Sequence, residues 1–489
     1  MCGIICIFGT SNVCVDSLTH RGPDGTLDKE LGKCWMQFSR LAINDLSNEG
    51  MQPFQQNGKM LVCNGEIYNH HEFDTVSTND CKCLIPLIEE HGIFEASKKL
   101  RGVFAICYTD GERLLASRDP FGVRPLFYTR FEQGKIALAS EVKALTNFGT
   151  KIEIFPPGHI YDSVSDQFVC WFPCYWELGK KSNQNLHEKF DECVRIRVKN
   201  TDRNVGFLLS GGLDSSLVAA LGKKYLNTKI KTFSVGTSVD SPDILAARVM
   251  SKFLDSEHHE LIFDPDRDGI PVIPNVIESL ESYDTTTVRA SVPMWLLAKY
   301  ISENTDCKVI LSGEGSDELF GGYLYFHYAP NVNDFSKECG RRLALIHQFD
   351  GLRADRCMAA HGLELRVPFL DKEFVDQMMT MDQNLKVPGN RMEKWVLRDA
   401  FEGVLPHEIL WRQKNGMSDA VGYNWVDTVK DFSESLDHCD DGRTKEETMY
   451  HDIFIKKFPG CDHLISEIWR PRWTDVRDPS ARQLTVFST

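Results

Sequence analysis

The sequence predicts two domains of different class: an α+β half made of short strands and turns, followed by an α/β half built on a parallel sheet. Three observations predict this. The 489 residues exceed what a single core sustains. Up to about Cys170, short alternating apolar runs are separated by turn motifs, the signature of antiparallel strands. After the polar stretch Glu177-Leu178-Gly179-Lys180-Lys181-Ser182-Asn183-Gln184, strands alternate with helices instead. The boundary divides the chain into residues 1–176 and 177–489.

Composition excludes several function classes. A hydrophobic share of 42% with 26% charged residues is that of a folded globular protein. The net charge of -15 and the absence of a clustered run among the 55 basic residues argue against nucleic acid or an anionic membrane as partner, and leave small molecules. The longest apolar candidate for a membrane span, Val205 to Leu221, is broken by glycines and Asp214. Without a secretory signal at the N-terminus, the 16 cysteines are expected as free thiols in the cytoplasm. Neither Cys81/Cys83 nor Cys170/Cys174 has the two-plus-two spacing of a zinc site.

The first half opens Met1-Cys2-Gly3-Ile4-Ile5. Removal of Met1 would leave a thiol and a free α-amine on one residue, and an amine of pKa about 7.7 can take the thiol proton near neutral pH. Cys2 is therefore a candidate self-activated nucleophile; a core-packed thiol at a strand start is the alternative. Downstream come His20-Arg21-Gly22-Pro23-Asp24-Gly25, Arg40-Leu41-Ala42-Ile43-Asn44, Asn64-Gly65-Glu66-Ile67-Tyr68-Asn69 and Ser117-Arg118-Asp119-Pro120-Phe121-Gly122. With these motifs the half resembles the glutaminase domain of amidotransferases with an N-terminal nucleophile, an αββα sandwich. The resemblance implies that Cys2 attacks the side-chain amide of glutamine and that Asn64 and Gly65 stabilise the oxyanion. It also implies that Arg40 takes the substrate α-carboxylate, that Leu41, Ala42, Ile43 and Asn44 wall the pocket, and that Glu66 and Asp80 take the α-amine. Thr78-Asn79-Asp80-Cys81-Lys82 departs from the glycine-flanked form of that segment.

The second half is organised around Ser210-Gly211-Gly212-Leu213-Asp214-Ser215-Ser216, between the apolar runs Val205 to Leu209 and Leu217 to Leu221. A strand, a glycine turn and a helix start aim backbone N–H groups at phosphate oxygens. The loop carries no lysine, so it is not a Walker A loop. It carries Asp214 instead, which beside phosphates implies Mg²⁺; an ordinary helix cap is the alternative. Further strands are expected at Ile230 to Gly236, Glu260 to Phe263 and Val309 to Leu311. Helices are expected after Ser241-Pro242, with Leu245, Val249 and Phe253 as buried stripe, near Val272 to Ser282 and near Ser291 to Glu303. Such alternation builds a parallel sheet with ligands at its carboxyl edge. There Ser312-Gly313-Glu314-Gly315-Ser316-Asp317-Glu318 adds acids: Asp317 joins Asp214 as metal ligand, and Glu314 is left as a base.

This half resembles the ATP pyrophosphatase family. Ser238 to Asp243, Thr287-Val288-Arg289-Ala290-Ser291, Leu352-Arg353-Ala354-Asp355-Arg356, His361 to Asp371 and Trp411-Arg412-Gln413-Lys414 narrow the resemblance to the asparagine synthetase family. It implies that Leu209, Ser210, Gly211, Gly212, Asp214, Ser215 and Val235, with Ser312 and Gly313, hold ATP and pyrophosphate, and that Arg289 and Lys414 neutralise phosphate charge. The implied substrates are glutamine, aspartate and ATP, with Mg²⁺. Lys414-Asn415-Gly416-Met417-Ser418-Asp419 departs from a bulkier, aromatic form. Two other readings stay open on sequence: an enzyme that amidates or cyclises a different carboxylate, and a non-catalytic protein with a decayed second half, against which the intact acids and cations speak. Ser433 to Asp452 is acidic and reads as an exposed loop or an insertion, and the residues after Asp478 as loose. Whether the chain pairs as a homodimer is open.

Overall fold

The computed structural model describes residues 1–10, 18–132, 134–174, 176, 185–413, 421–436, 442–476 and 484. Among the described residues the first half contributes twelve strands: β1 (Gly3–Phe8), β2 (Gly25–Leu31), β3 (Cys34–Arg40), β4 (Phe54–Gln56), β5 (Lys59–Ile67), β6 (Gly102–Thr109), β7 (Leu114–Arg118), β8 (Phe127–Phe131), β9 (Lys135–Ala139), β10 (Ile152–Ile154), β11 (His159–Asp162) and β12 (Gln167–Cys170). They form two antiparallel six-stranded sheets, ordered β10-β8-β9-β1-β3-β2 and β12-β11-β7-β6-β5-β4. Strand alternation sends Ile4, Cys6 and Phe8 of β1 into the layer between the sheets, together with Val62 and Ala105 of the facing one. Ile5 and Ile7 point the other way, into a core continuous with the second half. Helix α1 (Leu84–Lys99) covers the outer face of the second sheet through Leu84, Leu87 and Ile88.

Among its described residues the second half has five parallel strands: β13 (Asn204–Leu208), β14 (Lys231–Gly236), β15 (Glu257–Ile262), β16 (Cys307–Leu311) and β17 (Glu364–Arg366). Their order is β15-β14-β13-β16-β17, so the chain moves outward from β13 in one direction and then returns to its other side. The crevice between β13 and β16 is the topological switch point, where ligands of open parallel sheets bind. Helices α2 (Leu186–Lys199), α3 (Leu213–Lys223), α4 (Pro242–Leu254), α5 (Ile273–Leu280), α6 (Thr285–Asn304), α7 (Ser316–Phe320), α8 (Val332–Leu345), α9 (Asp350–Ala359), α10 (Lys372–Thr380) and α11 (Trp395–Ala400) accompany it, with Tyr423–Glu434 and Lys445–Lys457 later. None of the described helices is long and apolar enough to cross a membrane.

Three sequence expectations need correction. Helix α4 buries Ile244, Ala247, Met250 and Leu254, and leaves Leu245 47% and Phe253 52% exposed. An apolar residue stands on both faces, so spacing did not decide which face packs; contact with the sheet did, Ile244 lying against Gly236. Helix α6 begins at Thr285, six residues before the expected start, because Asp284 caps it by accepting from Thr287 N at 2.8 Å. The acidic stretch 433–452 is not an exposed loop throughout, since helix Lys445–Lys457 buries Glu446, Met449 and Tyr450 under a Thr444/Glu447 capping box.

The halves meet across buried charges. Arg21 lies 2.9 Å from Asp355, Arg356 lies 2.9 Å from Glu141, and Arg101 lies 3.0 Å from Asp371. Burial alone would raise Glu141, but Lys143, Arg356 and His20 around it hold its carboxyl well below the usual range. Pairs this dry contribute little net stability, yet breaking one leaves an uncompensated charge, so they fix one docking geometry.

Candidate active sites

Cys2 stands just before β1. Arg21 Nε donates to its carbonyl at 2.8 Å, and its Sγ accepts from Leu41 N at 3.3 Å, at the mouth of the loop that follows β3. Burial pushes the thiol up to about 11, against lowering by the N-terminal amine and by Leu41 N–H. Burial likewise takes the Met1 amine down to about 5, so thiol and amine are both neutral near pH 7. Met1 is fully buried and donates to Leu363 O at 2.8 Å.

The wall Leu41 to Asn44 is pinned from both halves. Ala42 N donates to Asp24 Oδ2 at 2.8 Å, while Arg203 Nε reaches Ala42 O at 2.7 Å and Asp202 N reaches Ile43 O at 3.0 Å. Arg40 is buried, with one terminal nitrogen on Ser47 O at 2.6 Å and the other on Asp45 O. Each of those nitrogens keeps a second N–H for a carboxylate. Asn64, Gly65 and Glu66 lie together on β5. Gly65 is required there, because a Cβ would stand 2.3 Å from Val103 O on the neighbouring strand. Asn64 is 1% exposed, yet its Nδ2 has no hydrogen-bond partner among the described residues. A buried amide donor left open is costly unless a ligand oxygen completes it. Glu66 accepts from Asn44 Nδ2 at 2.7 Å, and buried Asp80 accepts from Ile67 N at 2.7 Å.

The second site is a cavity of about 250 Å³ at the carboxyl ends of β13 and β16. Its lining includes Leu209, Ser210, Gly212, Asp214, Ser215, Val235, Ser312, Gly313, Glu314 and Asp317, so ten sequence-expected residues share one wall. Gly211 does not line it. It makes the turn instead, at φ +68, with Ala246 and Ala247 so close that a Cβ would meet the Ala246 carbonyl carbon at 2.4 Å. A Cβ on Gly313 would meet Asp214 Cβ at 2.7 Å, so the two loops touch because that residue is bare.

Arg289 differs from expectation. Thr286, Ala290 and Met294 of α6 face the cavity, whereas the buried Arg289 guanidinium points to Glu446, with Nε 2.6 Å from its Oε1. The early start of α6 places these residues on a helix, where one position turns the side chain by about 100°. Lys414 lies outside the described residues. Glu314 is not left free either: Ser312 Oγ donates to it, and Arg353 Nη2 lies 3.3 Å away.

The acid pair converges, but on a lysine that the sequence reading missed. Lys394 Nζ donates to Asp214 Oδ2 at 2.6 Å and lies 2.7 Å from Asp317 Oδ1, while Ser316 Oγ donates to Asp214 Oδ1 at 2.7 Å. Lys394 has left-handed backbone, φ +59, a strained conformation for a residue with a side chain. Its path requires Gly322, where a Cβ would stand 2.0 Å from Lys394 Cε. Nothing in Glu393-Lys394-Trp395 signals this; the left-handed turn aims the amine. Arg353, Tyr323 and Arg412 also line the cavity, Arg412 donating to Ser210 O at 3.1 Å and to Asp243 Oδ1 at 3.0 Å. Burial, Asp350 and Asp317 push buried Glu318 up to about 8, so it is largely uncharged at neutral pH.

Two carboxylate oxygens within 2.7 Å of one ammonium form a donor set suited to Mg²⁺, whose preferred ligands are carboxylate and phosphate oxygens.

A thiol site with a waiting amide donor, joined to a lysine-free glycine loop at a parallel-sheet switch point, defines the class: a glutamine amidotransferase domain fused to a synthetase domain. The family model described as "Glutamine amidotransferase domain" matches residues 1–159, and that described as "Asparagine synthase" matches residues 185–338 and 330–477. The chain belongs to the asparagine synthase family. It is 40% identical over 567 aligned positions to the asparagine synthetase (glutamine-hydrolyzing) of Bos taurus, covering 100% of this chain and 99% of the relative. Against the probable asparagine synthetase (glutamine-hydrolyzing) of Acanthamoeba polyphaga mimivirus the identity is 39% over 554 positions, covering 99% and 100%. The Homo sapiens asparagine synthetase (glutamine-hydrolyzing) is 38% identical over 569 positions, covering 100% and 99%. These alignments are longer than the chain's 489 residues, so it lacks segments that the relatives carry.

Proposed function

We propose that the protein converts aspartate to asparagine with ATP and glutamine-derived ammonia, through β-aspartyl-AMP, releasing AMP, pyrophosphate and glutamate. The observation that carries this reading is the cavity at the switch point, where a glycine cradle without a Walker lysine faces two converging acids and Lys394.

In the first site Cys2 Sγ attacks the glutamine amide carbon, forming a thioester and releasing ammonia; water then frees glutamate. After loss of Met1, the Cys2 α-amine takes the thiol proton. Asn64 Nδ2 and the Gly65 N–H stabilise the oxyanion, Arg40 binds the α-carboxylate, and Glu66 with Asp80 binds the α-ammonium. The loop Leu41 to Asn44 closes the pocket.

In the second site the Ser210 to Ser215 cradle and the Ser312-Gly313 turn hold the phosphates, with Leu209 and Val235 against the adenosine. Asp214 and Asp317 would hold Mg²⁺, which when bound neutralises pyrophosphate charge. Lys394 and Lys414 add positive charge around the leaving group. Ammonia attacks the activated acyl carbon and AMP leaves, while Glu314, held by Ser312 Oγ and beside Arg353, accepts a proton. Aspartate's carboxylate needs activation because its own oxygens leave poorly, and water must be kept from the adenylate. Free thiols at the 14 described cysteines fit a cytoplasmic setting.

The test is incubation with amide-¹⁵N glutamine, Mg-ATP and aspartate, followed by mass spectrometry and ³¹P NMR. The reading expects ¹⁵N-asparagine formed in step with AMP and pyrophosphate. ADP and phosphate as stoichiometric products would refute adenylation, and labelling of another carboxylate would refute the acceptor.

A further inference from the structure

Glu66 is assigned above to the α-ammonium group of glutamine, yet most of what holds it comes from beyond the first half. Its Oε2 accepts from Asn44 Nδ2 at 2.7 Å and from Asn200 Nδ2 at 3.0 Å, and lies 2.9 Å from Arg366 Nη2. Its Oε1 takes no hydrogen bond from any described residue. One oxygen is therefore committed, and the other is left for a ligand.

We propose that Arg366, on β17 of the synthetase half, is a positioning residue that completes the glutamine site, its guanidinium fixing the Glu66 carboxylate that receives the substrate ammonium. The proposal rests on the assignment of Glu66 made above. Arg366 is itself immobilised: it is 1% exposed, Nε donates to Glu364 Oε1 at 2.8 Å, and Nη1 donates to Arg197 O at 2.7 Å and Asn200 O at 2.9 Å. The contact of Nη2 with Glu66 is a charge contact rather than an aligned hydrogen bond, so its effect on Glu66 is mainly electrostatic.

The charges facing Glu66 explain why that contact matters. Burial, Glu364 and Asp80 push its carboxyl well above the usual range, and Arg366 and then Arg124 oppose them. A protonated Glu66 could not attract an ammonium group. Arg366 also has a separate main-chain role, its carbonyl accepting from Ser312 N at 3.1 Å at the edge of the nucleotide cavity. Substituting the side chain leaves that bond available, so the two roles separate by experiment.

The test uses the full-length protein with Glu66→Gln, Arg366→Met, Arg366→Lys and Asn200→Ala. KM and kcat are measured with glutamine and, separately, with ammonia as nitrogen donor. Arg366→Met is expected to raise the glutamine KM about tenfold or more, while ammonia-dependent synthesis stays within about twofold. In that variant the glutamine KM should fall more steeply with rising pH than in wild type, because Glu66, without its cation, is pushed further up by burial, Glu364 and Asp80. On the Glu66→Gln background Arg366→Met should add less than about twofold, and Arg366→Lys should recover part of the loss. Equal loss with both donors, or an unchanged glutamine KM in Arg366→Met beside a raised one in Glu66→Gln, overturns the proposal alone. An unchanged KM in Glu66→Gln overturns the Glu66 assignment and the proposal with it. Should Arg366→Met fail to fold, Arg366→Lys and Asn200→Ala decide: both should raise the glutamine KM selectively, and no rise in either overturns it.

Discussion

The two sites differ most in how their cations and amide donors are held. In the proposed glutamine site donors wait: Asn64 Nδ2 has no partner among the described residues, and Arg40 is steadied by backbone carbonyls with N–H groups to spare. In the nucleotide cavity charges are satisfied by one another, Lys394 between Asp214 and Asp317, Glu314 beside Arg353 and Arg412 on Asp243. The difference follows from the ligands proposed for each. Glutamine has no net charge, so its pocket can be assembled in advance. A polyphosphate with its metal brings strong fields of both signs, and buried acids and cations left apart in its absence would be too costly. On the proposed function the second site would exchange internal pairs for ligand contacts, while the first would fill open valences.

The largest expected break in this comparison is Cys2→Ala. It removes the atom proposed to form the thioester, so glutamine-dependent synthesis should fall about 10³-fold or more. Ammonia-dependent synthesis should stay near wild type, and its loss in a folded protein would end the division into two sites. Asn64→Ala should lower glutaminase kcat about 10²- to 10³-fold, the cost of one oxyanion donor, with little change in thermal stability, because the removed amide donor had no described partner. A marked loss of stability would mean the amide serves the fold instead.

Lys394→Met sharpens the other side. Synthesis from either donor should drop about 10²-fold with glutaminase retained, and the facing acids should lower stability by about 3 kcal/mol. Mg²⁺ should then raise Tm more in this variant than in wild type, since it supplies the missing cation. Equal Mg²⁺ effects would show that Asp214 and Asp317 do not bind it. The smallest effect is expected for Leu245→Gln on the exposed face of α4, within about 0.5 kcal/mol by urea unfolding; a larger loss would restore the face that its spacing suggested.

Much was legible in the sequence because it is local. The turn at Ser210 to Gly212 needs glycine within a few residues of chain, and the Ser312 to Glu318 loop repeats the strand–turn–helix form. Short alternating strands and Ser241-Pro242 likewise announce themselves. The order of the motifs along the chain was enough to suggest both halves. What the sequence did not carry is direction and partnership. The exposed face of α4, the turn of Arg289 toward Glu446, and the engagement of Glu314 depend on which surface meets which. Lys394 reaches the acids only through left-handed backbone and the space left by Gly322, and Arg366 reaches Glu66 across a domain seam. Spacing along a chain determines turns and periodicity. Only tertiary packing decides which distant charge a buried carboxylate meets, because that pairing is set by the docking of whole elements rather than by neighbouring residues.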